Sequence, residues 1–388
     1  MFPSISDVRA WTLSDLTTTA LRLRLGATSM DQTALSVING LSGIESDWEG
    51  DTRDGAAVRA KDHSSTLSEQ ARRWNNASTV LDTAAEQLGL LRDEILKIVD
   101  DPENQRLFAI SEVGGLAVNI RTDVDAYDES ILERRATLES TLRTLLFSAD
   151  AAAQMYDWQV ANRLMGVTDE ERPFIPELPP PRELPTVGKE SARALANEDG
   201  SGDAQWDTWD PNLAEQVQLQ AVRAFWLKGG MWGSTKGMEN FYRLLRHFNQ
   251  NTGEQMNVSV DALFNDLDGF QEKASTVAKE TLASAQNVMP KGYTGPVAFQ
   301  GNYSGSFTPE WTTNPDWFFT LGTFAFQESG VAIPTSQGNY NLATQTTIYD
   351  YYNFDQRGKL GMLNDLNRAG WAKTFDTTGT SSVQWGTS

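Results

Sequence analysis

The chain has no cysteine, which excludes disulfides, thiolate metal sites and a cysteine nucleophile. Its two histidines, His63 and His247, are too few for a three-histidine zinc centre, and a Ser-His-Asp triad would have to draw on one of them. Positive charge is also scarce. Lys and Arg number 32 against 52 Asp and Glu, a formal net charge of -20. A surface that acidic repels a phosphate backbone and argues against a nucleic-acid partner. No run approaches about 18 consecutive apolar residues, so no membrane-spanning helix is expected. The opening Met1-Phe2-Pro3-Ser4-Ile5-Ser6-Asp7 has neither a basic start nor an apolar run, and no Sec-type leader is expected there.

What the chain does have is a seven-residue apolar period. Leu67, Trp74, Leu81, Leu88 and Ile95 recur in step, with Ala77, Ala84, Leu91 and Ile98 three positions further on. That seam predicts a long helix over 52–99 packed lengthwise on another, with alanines letting the backbones approach. Ala34, Val37, Leu41, Ile44 and Trp48 keep similar spacing and predict a first helix ending near Asp47. Gly50, in Asp47-Trp48-Glu49-Gly50-Asp51, permits the reversal between them. Pro102 should end the second helix. Two short apolar runs, 107–110 and 116–118, flank Gly114-Gly115 and predict a β-hairpin. Val124, Ile131, Leu138 and Leu145 then predict a third long helix over 122–165.

The remaining sequence divides by composition. Pro173, Pro176, Pro179, Pro180, Pro181 and Pro185 mark residues 166–212 as an extended linker. Residues 213–290 are mostly helical in pattern, with a short extended stretch before Asp261. There His247, beside aromatics, is expected to pack or donate one hydrogen bond, and Glu254, Asp261 and Asp266 are the candidate carboxylate neighbours. From 291 to 388 the period turns to two and Gly punctuates short strands, including Asn302-Tyr303-Ser304, Trp317-Phe318-Phe319, 323–326 and 331–333. A closing helix over 360–369 should stop at Gly370. The fold class expected is α+β and multidomain: a long antiparallel helical bundle with a small hairpin, a linker, a helical middle segment and an antiparallel β-rich C-terminal domain.

The densest polar set is Tyr349-Asp350-Tyr351-Tyr352-Asn353-Phe354-Asp355-Gln356-Arg357-Gly358-Lys359. Alternation sends Asp350 and Tyr352 to one face of a strand and Tyr349 and Tyr351 to the other. A turn after Asn353 would bring Asp355 round to Asp350. That pair suits a hard cation, Ca²⁺ or Mg²⁺, which takes oxygen ligands. Arg357 and Lys359 equally suit a phosphate, and Asp350 and Asp355 equally suit capping of backbone amides at a strand end.

The opening Asp7-Val8-Arg9-Ala10-Trp11, the two periodic helices, Trp48-Glu49-Gly50 at their turn, the hairpin and the third helix together resemble the N-terminal domain of WxG-type (ESX, type VII) secretion substrates. The resemblance covers about 160 residues. It implies export by a membrane ATPase machine after pairing with a small helical WxG-type partner, with Trp48 and Gly50 as the secretion motif, and hence a secreted or cell-surface protein. The family's export tag, Tyr then an acidic residue four later, is absent: Ile131 follows Tyr127 and Val160 follows Tyr156. The partner is then expected to carry it. Residues 293–382 look like the C-terminal domain of actinobacterial-type secreted effectors or toxin-like proteins. That likeness makes Asp350, Tyr352, Asn353, Asp355 and Lys359 the active-site candidates without supplying an activity. Asp350-Tyr351-Tyr352-Asn353 also resembles the Asp-x-Tyr-Asp motif of colicin M-type bacteriocins, which cleave lipid II. It departs from that motif at Asn353 and in having no following His. Three functional expectations stand side by side: a secreted effector, a metal-assisted hydrolase of envelope phosphate esters, and a non-enzymatic structural protein of the secretion system.

Overall fold

The computed structural model describes residues 3–44, 50–112, 116–124, 126, 128–182, 206–227, 237–335, 338–353 and 361–387. The protein is mixed α+β, and its chain divides into two compact units. The first comprises 1–177, 285–298 and 331–339, the second 178–284, 299–330 and 340–388.

The first unit is built on helices. A short α1 (Ile5–Ala10), closed by a Ser4/Asp7 capping box, leads into α2 (Leu13–Ile44) and α3 (Asp51–Val99). Buried alanines at 20, 27 and 34 of α2 repeat the seven-residue period, and Ala77 and Ala84 keep the same spacing on α3. Small side chains in register let the two rods lie close along their length. Gly50 is the N-cap of α3, at φ 99° and ψ -179°. Only glycine adopts that backbone region readily. Pro102 follows the second helix as expected, standing at the first position of α4 (Pro102–Leu107) with Asp101 as N-cap. The predicted hairpin is β1 (Phe108–Ser111) paired antiparallel with β2 (Ala117–Ile120). The third long helix, α5 (Glu129–Met165), starts seven residues later than the periodicity predicts, because Asp128 caps it through Ser130 N–H at 2.9 Å. Leu88, Leu91, Ile95, Leu142, Leu145 and Met155 form its core with Phe108 and Val118, and Met289, Tyr293 and Ile333 pack against them.

The Pro-rich strap is not a bare spacer over its described part. Phe174 lies against Trp158, Glu177 N–H donates to Gln154 Oε1 at 3.1 Å, and Pro176 and Pro179 are buried. The expected linker residues 183–205 lie outside the described residues.

The second unit joins helices to a sheet. Its helices are α6 (Leu213–Leu227), α7 (Glu239–Gln250), α8 (Val260–Asp266), α9 (Phe270–Gln286), α10 (Pro315–Leu321) and α11 (Gly361–Arg368). The strands after the hairpin are β3 (Met256–Asn257), β4 (Val297–Gln300), β5 (Gly305–Phe307), β6 (Phe324–Pro334), β7 (Tyr340–Tyr352), β8 (Phe375–Thr380) and β9 (Gln384–Thr387), with 297–298 of β4 and 331–334 of β6 belonging to the first unit. The sheet order is β3-β8-β7-β6-β4, with β5 on β6 and β9 on β7. Residues from the middle helices and from the β-rich segment enter one core: Phe241, Leu244, Phe248, Leu263 and Phe270 with Trp317, Phe324, Phe326, Ile348, Tyr352 and Phe375.

Three local expectations are corrected. Trp317-Phe318-Phe319 is helical, because Asn314-Pro315 opens α10 and the spacing of Trp317 and Leu321 buries both. Asn302-Tyr303-Ser304 is not a strand; the strand there is β5. Gly330 does not separate two strands but lies within β6, where the Ala343 carbonyl and the Phe299 ring approach its Cα too closely for a side chain.

Gly379 of β8 is a second close approach. A Cβ there would meet the Val258 carbonyl, next to the place where Val258 N–H donates to Thr378 O at 2.8 Å. Gly379→Ala is therefore expected to cost at least about 2 kcal/mol by forcing β3 away from β8. Chemical denaturation checks this, with amide exchange at Val258 accelerating first.

Candidate functional site

Strand β7 carries the first four residues of the polar set, Tyr349 to Tyr352, into the sheet. It pairs antiparallel with β8, placing Asp350 opposite Thr377, Tyr351 opposite Asp376 and Tyr352 opposite Phe375. The predicted alternation holds. Tyr352 faces the helix-covered core, 3% exposed and stacked on Phe375 with ring centroids 4.9 Å apart. Asp350, two residues back, shares that face and is likewise 3% exposed. On the other face Tyr349 O–H donates to Asp376 Oδ1 at 2.6 Å, and the Tyr351 and Thr374 hydroxyls are 2.7 Å apart.

Burial is the main force on the Asp350 carboxyl and pushes it well above the usual carboxylate range. The Tyr351 N–H pulls it partly back, and the negative charge of Asp376 raises it further. Tyr352 is raised too, by burial first and then by Asp350. Burial that disfavours the charged form makes this carboxyl a poorer ligand for a hard cation. Asn353, half-buried, ends the described part of this segment. Asp355 and Lys359, and with them the expected Asp350–Asp355 pair, lie outside the described residues. Among the described residues no group of three or more His, Asp or Glu stands together as a metal site.

His247 behaves as a packed histidine. Its Nε2–H donates to the Glu254 carbonyl at 2.8 Å, and its ring meets the Phe375 ring edge-on at 4.5 Å. Two of the candidate carboxylates are engaged elsewhere. Asp261 accepts from Ser382 N–H and Oγ–H, and Asp266 accepts from Trp317 Nε1 at 2.8 Å.

Two carboxyls went unnoticed in the sequence. Asp376 is brought to the Tyr349 hydroxyl by strand pairing across 27 residues. Glu328 sits in the middle of β6, on the same face as Phe324 and Phe326, and is 1% exposed. An acid inside the run Phe324 to Ile333 was the available signal. Burial pushes Glu328 up to about 8, against a hydrogen bond with the Thr346 side chain that lowers it. Its Oε1 has no hydrogen-bond partner among the described residues. The core face of the sheet thus carries two acids that burial raises above the usual carboxylate range, Asp350 and Glu328.

No family model matches the chain, and no curated protein matches it. Among solved structures the chain is similar, at 9% identity, to PaeM, a colicin M-like bacteriocin produced by Pseudomonas aeruginosa. The likeness covers 92% of this chain and 94% of that one with a TM-score of 0.26, too low to establish a common fold.

Proposed function

We propose that this protein is an effector exported by a type VII machine, with the long-helix unit serving export and partner docking and the sheet-bearing unit as cargo. The observation that carries the reading is Gly50. The last residue of Trp48-Glu49-Gly50 holds a backbone conformation reserved for glycine, at the head of a 49-residue helix that packs along a 32-residue one. Trp48 itself lies outside the described residues. A stripe of apolar residues on α2 supports docking of a small helical partner: Leu21, Leu25 and Leu35 lie on one side of the helix and are 52%, 63% and 64% exposed. No helix among the described residues is long and apolar enough to cross a membrane.

The test is secretion. Gly50→Ala strains the backbone locally by about 1–3 kcal/mol, small beside a helix pair of this length. Both Gly50→Ala and Trp48→Ala should accumulate inside the producing cell and fall severalfold in the culture supernatant. Unchanged supernatant levels of both variants would remove the export reading.

A further inference from the structure

Helix α6 (Leu213–Leu227) is apolar on both of its sides. Its inner side buries Leu219 in the core of the second unit, with Val222 packed against the same core. Its two charged side chains are occupied locally. Glu215 turns back to accept from Asn212 N–H at 2.7 Å, and Arg223 donates to the Asn249 carbonyl at 2.8 Å. Helical spacing sets Leu213, Val217, Ala221, Ala224 and Phe225 on the side away from Leu219 and Val222. Leu213, Val217 and Phe225 are 78%, 61% and 49% exposed. The other exposed side chains of the helix are Ala214, Gln218 and Gln220, so this outward side carries no charge. A helix that is apolar all round belongs inside a protein, and an apolar stripe left on the surface marks a contact with another macromolecule.

Two features of the stripe identify what covers it. The first is charge. Each chain carries a net -20, so two copies repel wherever their acidic surfaces come within about a Debye length, and they repel least along a side without charge. The second is symmetry. The stripe reads alike from both ends about Leu219: Val217 and Ala221 flank it at equal spacing, as do Ala214 with Ala224 and Leu213 with Phe225. A two-fold axis at that midpoint sets Val217 level with Ala221 of the other copy, and Ala214 level with its Ala224, so that small side chains let the two backbones approach. We infer that two copies of this chain pair antiparallel along α6. A helix of 15 residues is about 22 Å long, too short to bury the about 1,200–2,000 Å² of a stable interface. The dimer is therefore weak and reversible, with a Kd of about 10–100 µM. The assignment is independent of the export reading.

Sedimentation velocity of the full chain tests it, over concentrations from about 1 µM to about 300 µM, on either side of that Kd. The mass should rise from 42.9 kDa toward twice that value. Raising salt from about 0.05 M to about 0.5 M should strengthen the association by screening the repulsion. Val217→Asp and Ala221→Lys, both at solvent-facing positions, should leave the circular dichroism unchanged, and each alone should weaken association at least about tenfold. Mixed with each other they should recover it, because the pairing sets the new carboxylate level with the new ammonium, and salt should weaken that mixed dimer. A parent chain that stays monomeric throughout, a dimer that survives Val217→Asp, or a mixture of the two variants no tighter than either alone would each overturn the assignment. In the first case, flotation of the parent with phosphatidylcholine vesicles, lost in Val217→Asp, would give the stripe to a lipid surface instead.

Discussion

Replacing Phe270 by Ala is expected to destabilise the second unit by about 3–5 kcal/mol. The Phe270 side chain is fully buried, and four rings surround it: Phe264, Phe307 and Phe324 with centroids at 5.1 Å and Phe326 at 5.4 Å. Removing the central ring loses its transfer energy and leaves a hole that four stiff neighbours, fixed on α8, β5 and β6, cannot close. Urea denaturation followed by near-ultraviolet circular dichroism would measure it. A loss below about 1 kcal/mol would mean that the aromatic cluster repacks freely.

The second large effect is a dependence on pH that runs opposite to that of most carboxylates. The folded Glu328 keeps its proton to about pH 8, while in the unfolded chain it is released near the ordinary 4.5. Between those values the folded state binds more protons than the unfolded one. Stability therefore falls as pH rises, by up to about 1.4 kcal/mol per unit for one such group. The loss begins at about 4.5 and is complete above about 8. Asp350 adds a loss of the same sign that starts from its ordinary 3.8. The exposed carboxylates held low by hydrogen bonds, Asp7, Glu69, Asp100, Asp128 and Glu171, act in the opposite sense, and only as the medium becomes more acid than their ordinary values. A melting series from pH 5 to 8 separates the two classes. Glu328→Gln and Asp350→Asn should each flatten the decline and melt above the parent protein at pH 8. If parent and variants follow one curve, burial does not raise these two acids in the folded state.

The helices were legible because a seven-residue period survives any tertiary context, and Gly50 because its neighbours are periodic on both sides. Alternation was enough to put Asp350 and Tyr352 on one face. It could not show how deep that face lies, since the stacking of Tyr352 on Phe375 and the opposition of Asp350 and Thr377 come from a strand 23 to 27 residues away. Trp317-Phe318-Phe319 misled because aromatic residues favour strands in general, while the opening Asn314-Pro315 favours a helix here. Asp316 shows the same limit. Its carboxylate accepts from Asn240 and Phe241 N–H at 3.2 and 2.8 Å, so it caps α7, an element 75 residues earlier that lacks a side-chain cap of its own. No local pattern announces a cap supplied from that distance, nor a glutamate raised by burial beneath a helix.

The division of the chain bears on how the protein is made. The first unit takes residues 285–298 and 331–339 from far downstream, and Met289, Tyr293 and Ile333 pack against its core. A ribosome that has released α5 has therefore not released all of that core. The long helices must wait, with part of their apolar surface uncovered, until residue 339 emerges, and through most of that interval the sheet-forming segment is still being made. Nascent-chain stalling should show this directly. Chains arrested soon after α5 should be held by chaperones or degraded, and protection of Leu91 and Leu142 should appear only when the arrest point passes 339 by the length of the exit tunnel.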